Sequence, residues 1–127
     1  LLMRNRQFSQ AANAYAKAVS MAPDQSLILA GQGRALLASG QTESALQPLK
    51  KAYEMDFKNI TLLHDLALAY AKLENQGMAS LITAERFGLK GDLKDALWHA
   101  KKAVSLLPQG SPPWQRAQDI VNSNQLK

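Results

Sequence analysis

The chain repeats itself. Slid by 34 residues it pairs like with like: Ala11 falls on Ala45, Ala18 on Ala52, Leu29 on Leu63, Leu36 on Tyr70, Gly33 on Ala67 and Tyr15 on Leu49. Self-similarity at such a period marks a supersecondary unit that cannot bury its apolar face alone, so neighbouring units must stack and share one core. A second match comes at 85 residues, where Lys17-Ala18-Val19-Ser20 before Pro23 recurs as Lys102-Ala103-Val104-Ser105 before Pro108. Gly40, Ala45, Ala52 and Lys50-Lys51 meet Gly91, Ala96, Ala103 and Lys101-Lys102 at 51 residues, one and a half periods on. A half period is one helix with its turn.

Apolar spacing and punctuation predict seven helices, Phe8 to Met21, Ser26 to Ser39, Thr42 to Met55, Ile60 to Leu73, Met78 to Leu89, Leu93 to Leu106 and Pro112 to Asn122. The breaks are Ala22-Pro23-Asp24, Gly40-Gln41, Asn75-Gln76-Gly77, Gly91-Asp92 and Pro108-Gln109-Gly110, with Ser111 before Pro112 as an N-cap and first-turn pair. Small Gly33, Ala45, Ala52 and Ala67 let helices approach, while Leu29, Leu36, Leu49, Leu63 and Tyr70 fill the space between them. Gly31-Gln32-Gly33 lies inside a helical period and reads as close packing rather than a phosphate loop. The helix from Met78 is the added half period. It must serve neighbours on both sides, and Met78, Leu81, Ile82, Ala84, Phe87 and Leu89 give it two apolar faces. The last helix sets Trp114, Ala117, Ile120 and Val121 against polar Gln115, Arg116, Gln118 and Asp119, the pattern of a capping helix.

The repeat resembles the tetratricopeptide (TPR) pattern. Leu29-x2-Gln32-Gly33-x2-Leu36 and Leu63-x2-Leu66-Ala67-x2-Tyr70 match its first helix. Ala11-x3-Tyr15 with Pro23, Ala45-x3-Leu49, and Ala96-x3-Ala100 with Pro108 match its second. Phe57 stands where the pattern has proline. The resemblance implies an all-α, right-handed solenoid of about seven antiparallel helices with a C-terminal cap, one domain over residues 1–127. In the 34-residue register Leu1-Leu2-Met3 corresponds to the end of a first helix, so the chain is expected to start mid-repeat, as a fragment of a longer polypeptide.

Composition narrows the function. The 127 residues are 46% hydrophobic and 20% charged, as in an ordinary globular domain, and no stretch approaches the roughly 20 apolar residues of a membrane helix. Membrane contact is not expected. Cysteine is absent, which excludes disulfides, thiolate metal sites and a cysteine nucleophile. The net charge of +5 clusters only as the doublets Lys50-Lys51 and Lys101-Lys102, without a groove-reading motif, so no nucleic-acid partner is expected. Lys17, Lys51 and Lys102 hold equivalent places on the second helices, and their shared register puts them on the outer face.

No catalytic constellation is visible. A zinc protease helix needs two histidines one turn apart with a glutamate between them, whereas His64 and His99 are 35 residues apart without a carboxylate at ligand spacing. Neither a G-x-S-x-G elbow nor a phosphate loop occurs, so no catalytic residue, metal or cofactor is assigned to this chain. What remains is the face that a solenoid's first helices turn toward a concave groove, read at i, i+3, i+7 and i+10. It carries Leu27, Ala30, Arg34 and Leu37, then Thr61, His64, Leu68 and Ala71, then Met78, Leu81 and Glu85. A mostly apolar groove with a few polar points suits an extended or helical peptide of a protein partner.

A narrower likeness lies in the last third. Ala84-Glu85-Arg86-Phe87, Gly91-Asp92-Leu93-Lys94-Asp95-Ala96, Pro108-Gln109-Gly110-Ser111-Pro112-Pro113-Trp114 and Ala117-Gln118-Asp119-Ile120 resemble the C-terminal end of the bacterial BepA-type periplasmic zinc metalloproteases. That family joins an HExxH peptidase half to a TPR half. The resemblance implies a periplasmic setting in outer-membrane protein quality control, zinc in the parent protein, and a TPR half that engages substrates and packs on its own protease domain. It places no catalytic residue here. The carboxylate clamp of chaperone-binding TPR domains is absent, because Ala30, Arg34 and Asp65 do not offer its lysine and asparagine pattern.

Overall fold

A computed structural model describes residues 2–21 and 25–125. Among these residues seven helices follow one another: α1 (Leu2–Met21), α2 (Ser26–Ala38), α3 (Thr42–Met55), α4 (Ile60–Lys72), α5 (Gln76–Leu89), α6 (Leu93–Leu106) and α7 (Pro112–Gln125). No strand occurs among the described residues. Leu1 and the Pro23 turn lie outside them.

The helix ends have local causes. Three of them close the same way: the chain turns through one left-handed residue, whose N–H bonds three residues back while the next N–H bonds five back. Gly40 and Gly91 fill that position after α2 and α5, at φ 84° and 81°. After α4 it is Glu74, at φ 62°. The break expected at Asn75-Gln76-Gly77 therefore comes two residues earlier, at Leu73-Glu74-Asn75. Asn75 is the cap of α5, its side chain accepting the Met78 N–H at 3.2 Å, so the helix starts at Gln76 rather than Met78. Asn59 and Ser111 cap α4 and α7 alike, accepting from Leu62 and Trp114. Gly77 is no breaker: it lies inside α5, where a Cβ would stand 2.8 Å from Leu107 Cδ2. Leu2 and Met3, expected as the tail of a preceding helix, belong to α1, because nothing between them and Phe8 interrupts a helix.

Each helix packs antiparallel on the next, and α2 also touches α4, as α5 touches α7, across the helix between. This is a TPR-like solenoid. The larger core gathers Leu29, Leu49, Leu63, Leu66, Tyr70 and Ile82 from α2 to α5. Smaller clusters join α5 to the last two helices, around Leu81, Ala103 and Ala117, and around Ala84, Ala100 and Val121. The close approaches read from the repeat are present: a Cβ at Gly33 would stand 2.4 Å from Leu49 Cγ, and one at Gly31 2.4 Å from Tyr15 Cε1. Helix α5 does serve two sides, with Ile82 in the larger core and Leu81 and Ala84 in the smaller ones. No helix among the described residues is long and apolar enough to cross a membrane.

Candidate functional site

Because α5 is sandwiched, its neighbours α4 and α6 stand up on one side of it and enclose a groove of about 310 Å³. The α4 wall is His64, Ala67, Leu68 and Ala71. The floor is Gln76, Ala79, Ser80 and Thr83, ending in Arg86, and α6 supplies His99 and Lys102. Helical periodicity makes these sets: His64, Leu68 and Ala71 share one face of α4, and Ala79, Thr83 and Arg86 one face of α5. Thr83 is tied down by donating to Ala79 O at 2.7 Å.

Several expected site residues lie elsewhere. Leu27, Arg34 and Thr61 are exposed, and Arg34 extends the α4 wall only through Asp65, whose Oδ2 is 4.0 Å from Arg34 Nε. Ala30 is half-buried against the core and Leu37 is inside it. They are seven positions apart, almost two helical turns, so both sit on the inner edge of the stripe while Leu27 and Arg34 sit on the outer.

The third wall is a larger correction. Leu81 is 0% exposed, in contact with Ala103 and Leu107, and Met78 packs against two cores. Glu85 points to the other side of α5, where it accepts from Arg116 Nη2 at 2.8 and 2.7 Å and from Tyr53 Oη at 2.7 Å. One extra helix changes the parity of the stack. Helix α6 faces α4 across the groove although its sequence reads as a second helix. The same shift moves Lys102 into the groove, off the outer face assigned to it with Lys17 and Lys51. Arg116, read as a polar back, is drawn inward by Glu85.

The groove's polar groups are unevenly occupied. His64 Nδ1 lies 3.5 Å from Asp65 Oδ1, and Asp65 is buried. His99 stacks on Phe87 with ring centroids 5.4 Å apart and meets the edge of Trp98 at 4.8 Å. Burial first, then the Lys102 charge, hold its imidazole below the usual histidine range, with Asp95 opposing and Arg86 adding to the depression. The Arg86 guanidinium lies over the Phe87 ring at 5.1 Å, and its buried Nε makes no hydrogen bond with any described residue. No three of His, Cys, Asp and Glu come together as a ligand set among the described residues. The two histidines share a groove but have no third ligand, so these residues do not fit a zinc ion.

No protein-family model matches the chain. A comparison with curated proteins likewise finds no match. Among solved structures the chain is similar to a thermophilic TPR protein of Thermus thermophilus, at 19% identity and a TM-score of 0.49, over 95% of this chain and 74% of that one.

The groove residues missed from the sequence, His99, Lys102 and Arg86 above all, were signalled by the half period. Counting helices rather than matching motifs assigns α6 to the groove.

Proposed function

We propose that the chain is a polypeptide-binding module whose partner lies in the groove walled by α4 and α6. One observation carries this reading: His64, Leu68 and Lys102 are exposed together around one concavity mounted on packed helices, with Ala67 and Ala71 continuing its apolar wall. An open channel with an apolar wall and polar points suits an extended or helical segment, whose side chains fill it while its backbone runs along it.

The likeness of residues 84–120 to the BepA-type proteins supports a finer placement. In it, the chain is the C-terminal half of a bacterial periplasmic zinc metallopeptidase, bringing outer-membrane substrate proteins to a zinc site held by the parent's other half.

A photo-crosslinking residue at Leu68, with Lys51 as the outer control, tests the module. Polypeptide adducts from Leu68 are expected, and adducts from Lys51 alone would move the partner to the other face. The coding sequence upstream of Leu1 tests the placement: an HExxH helix supports the peptidase, whereas further repeats or another domain make the chain part of a TPR adaptor.

A further inference from the structure

The groove contains both histidines of the chain and no carboxylate. Arg86 and Lys102 are fixed positive charges on its floor and far wall. The acid beside the α4 wall, Asp65, is buried and already faces His64 at 3.5 Å and Arg34 at 4.0 Å. On α6, Asp95 is one turn from His99, and α5 sets Arg86 against the same imidazole. Arg86 forms no ion pair or hydrogen bond through its buried Nε with a described residue, and its guanidinium lies over the Phe87 ring at 5.1 Å, so no acid of the described chain offsets its charge. Ala67, Leu68 and Ala71 leave an apolar strip beside these charges.

We propose that the groove receives an acidic segment of a protein partner and grips it more tightly as pH falls, with His99 as the titrating contact. The inference rests on the polypeptide-binding reading above. Carboxylates entering between the two walls stabilise the His99 imidazolium, so binding takes up a proton. By linkage, affinity then rises on acidification, by up to about tenfold per pH unit. The gain is complete below the His99 pKa of the free groove and lost as pH rises through that of the complex. In the free protein burial and the Lys102 charge lower the His99 pKa, which widens that window. An acidic peptide fits better than a nucleic acid, because two fixed cations beside an aliphatic strip match alternating carboxylates and apolar side chains rather than a run of phosphates.

The test is fluorescence anisotropy of the 127-residue chain with labelled peptides of alternating glutamate and leucine, against glutamine-leucine peptides and single-stranded DNA of equal charge. The acidic peptide is expected to bind at least about tenfold more tightly at pH 5.5 than at 7.5. The glutamine peptide is expected to show no such change. His99→Gln should flatten the profile, and Arg86→Gln with Lys102→Gln should weaken binding at both pH values. The His99 Cε1 proton resonance of the unaltered chain supplies a reading that needs no variant: its midpoint moves up when the acidic peptide is added. An unmoved His99 midpoint, a pH profile that survives His99→Gln, or tighter binding of the DNA overturns the proposal. If glutamine and acidic peptides bind alike at every pH, this inference fails while the polypeptide-binding reading stands. If neither peptide binds and Leu68 yields no adducts, both fail.

Discussion

Arg116 of α7 sets Nη2 2.8 and 2.7 Å from the two carboxylate oxygens of Glu85 on α5, tying the last helix to the one two places before it. Tyr53 of α3 completes the cluster: it donates to Glu85 Oε1 at 2.7 Å, accepts from Arg116, and has the guanidinium over its ring at 5.4 Å. Three helices that are not consecutive thus meet at one point, on the side of α5 opposite the groove. Burial opposes the Arg116 charge, but the hydrogen bond and charge of Glu85 outweigh it and raise the guanidinium's pKa.

Removing the cation leaves Glu85 partly buried with only the Tyr53 hydrogen bond to hold its charge, so Arg116→Met should cost about 1–2 kcal/mol, the lower part of the usual range because Arg116 is 39% exposed. Arg116→Lys should recover little, since an ammonium cannot both stack on Tyr53 and reach two oxygens. Urea denaturation checks both, through a lower midpoint at unchanged slope.

Burial raises the Tyr53 phenol well above its ordinary value, helped by the hydrogen bond and charge of Glu85, and burial raises Tyr70 as well. In the unfolded chain tyrosine ionises near pH 10. Above that pH the unfolded state gives up protons that the folded state keeps, so stability is complete below pH 10 and falls as pH rises. Absorbance at 295 nm should show Tyr53 and Tyr70 ionising only as the helices melt, and Tyr53→Phe should reduce the alkaline loss.

Gly33 and Ala45 mark approaches that leave no room for a side chain. Gly33→Leu and Ala45→Leu should each cost about 1–3 kcal/mol or more, because a Cβ at Gly33 would already stand 2.4 Å from Leu49 Cγ and Ala45 is 0% exposed. Gly88 supplies the contrast: a Cβ there meets nothing within 4 Å, so Gly88→Ala in α5 should stabilise by about 0.5–1 kcal/mol. Thermal melts of the three variants test the register, and equal shifts in one direction would refute it.

Glu74 performs at φ 62° what Gly40 and Gly91 do after α2 and α5. A left-handed conformation costs a non-glycine residue about 1–2 kcal/mol, so Glu74→Gly should raise stability by about 1 kcal/mol despite the freer unfolded chain. Calorimetry should show a melting temperature a few degrees higher.

Lys102→Ala with Leu68→Ala should reduce Leu68-side partner binding at least about fivefold, a loss of about 1 kcal/mol, with helicity kept. Lys17→Ala with Lys51→Ala should leave it within about twofold. Anisotropy with the acidic peptide and circular dichroism decide between the two faces.

Much of the architecture was legible in the chain. Gly40, Gly91 and Ser111 announced their turns, and the 34-residue register identified Gly33 and Ala45 as contact points, because caps and close approaches demand particular residue types at particular positions. The Glu74 turn was not legible, since glutamate carries no left-handed signal, yet the same pair of backbone bonds forms there as at Gly40 and Gly91. His64 and Leu68 were found from periodicity, whereas Leu37 and Leu81 were not seen to be core, as an apolar residue on an exposed stripe and one beneath it look alike in sequence.

The sequence by itself determined seven helices, their spacing and the presence of an added half period between two matching units. Only the tertiary structure decided which side each helix faces. A side chain's direction within its own helix follows from 3.6 residues per turn, but its direction in the stack depends on how many helices precede it. One extra helix therefore carried His99 and Lys102 into the groove and turned Glu85 toward Arg116, with no change in the local motif of any of them.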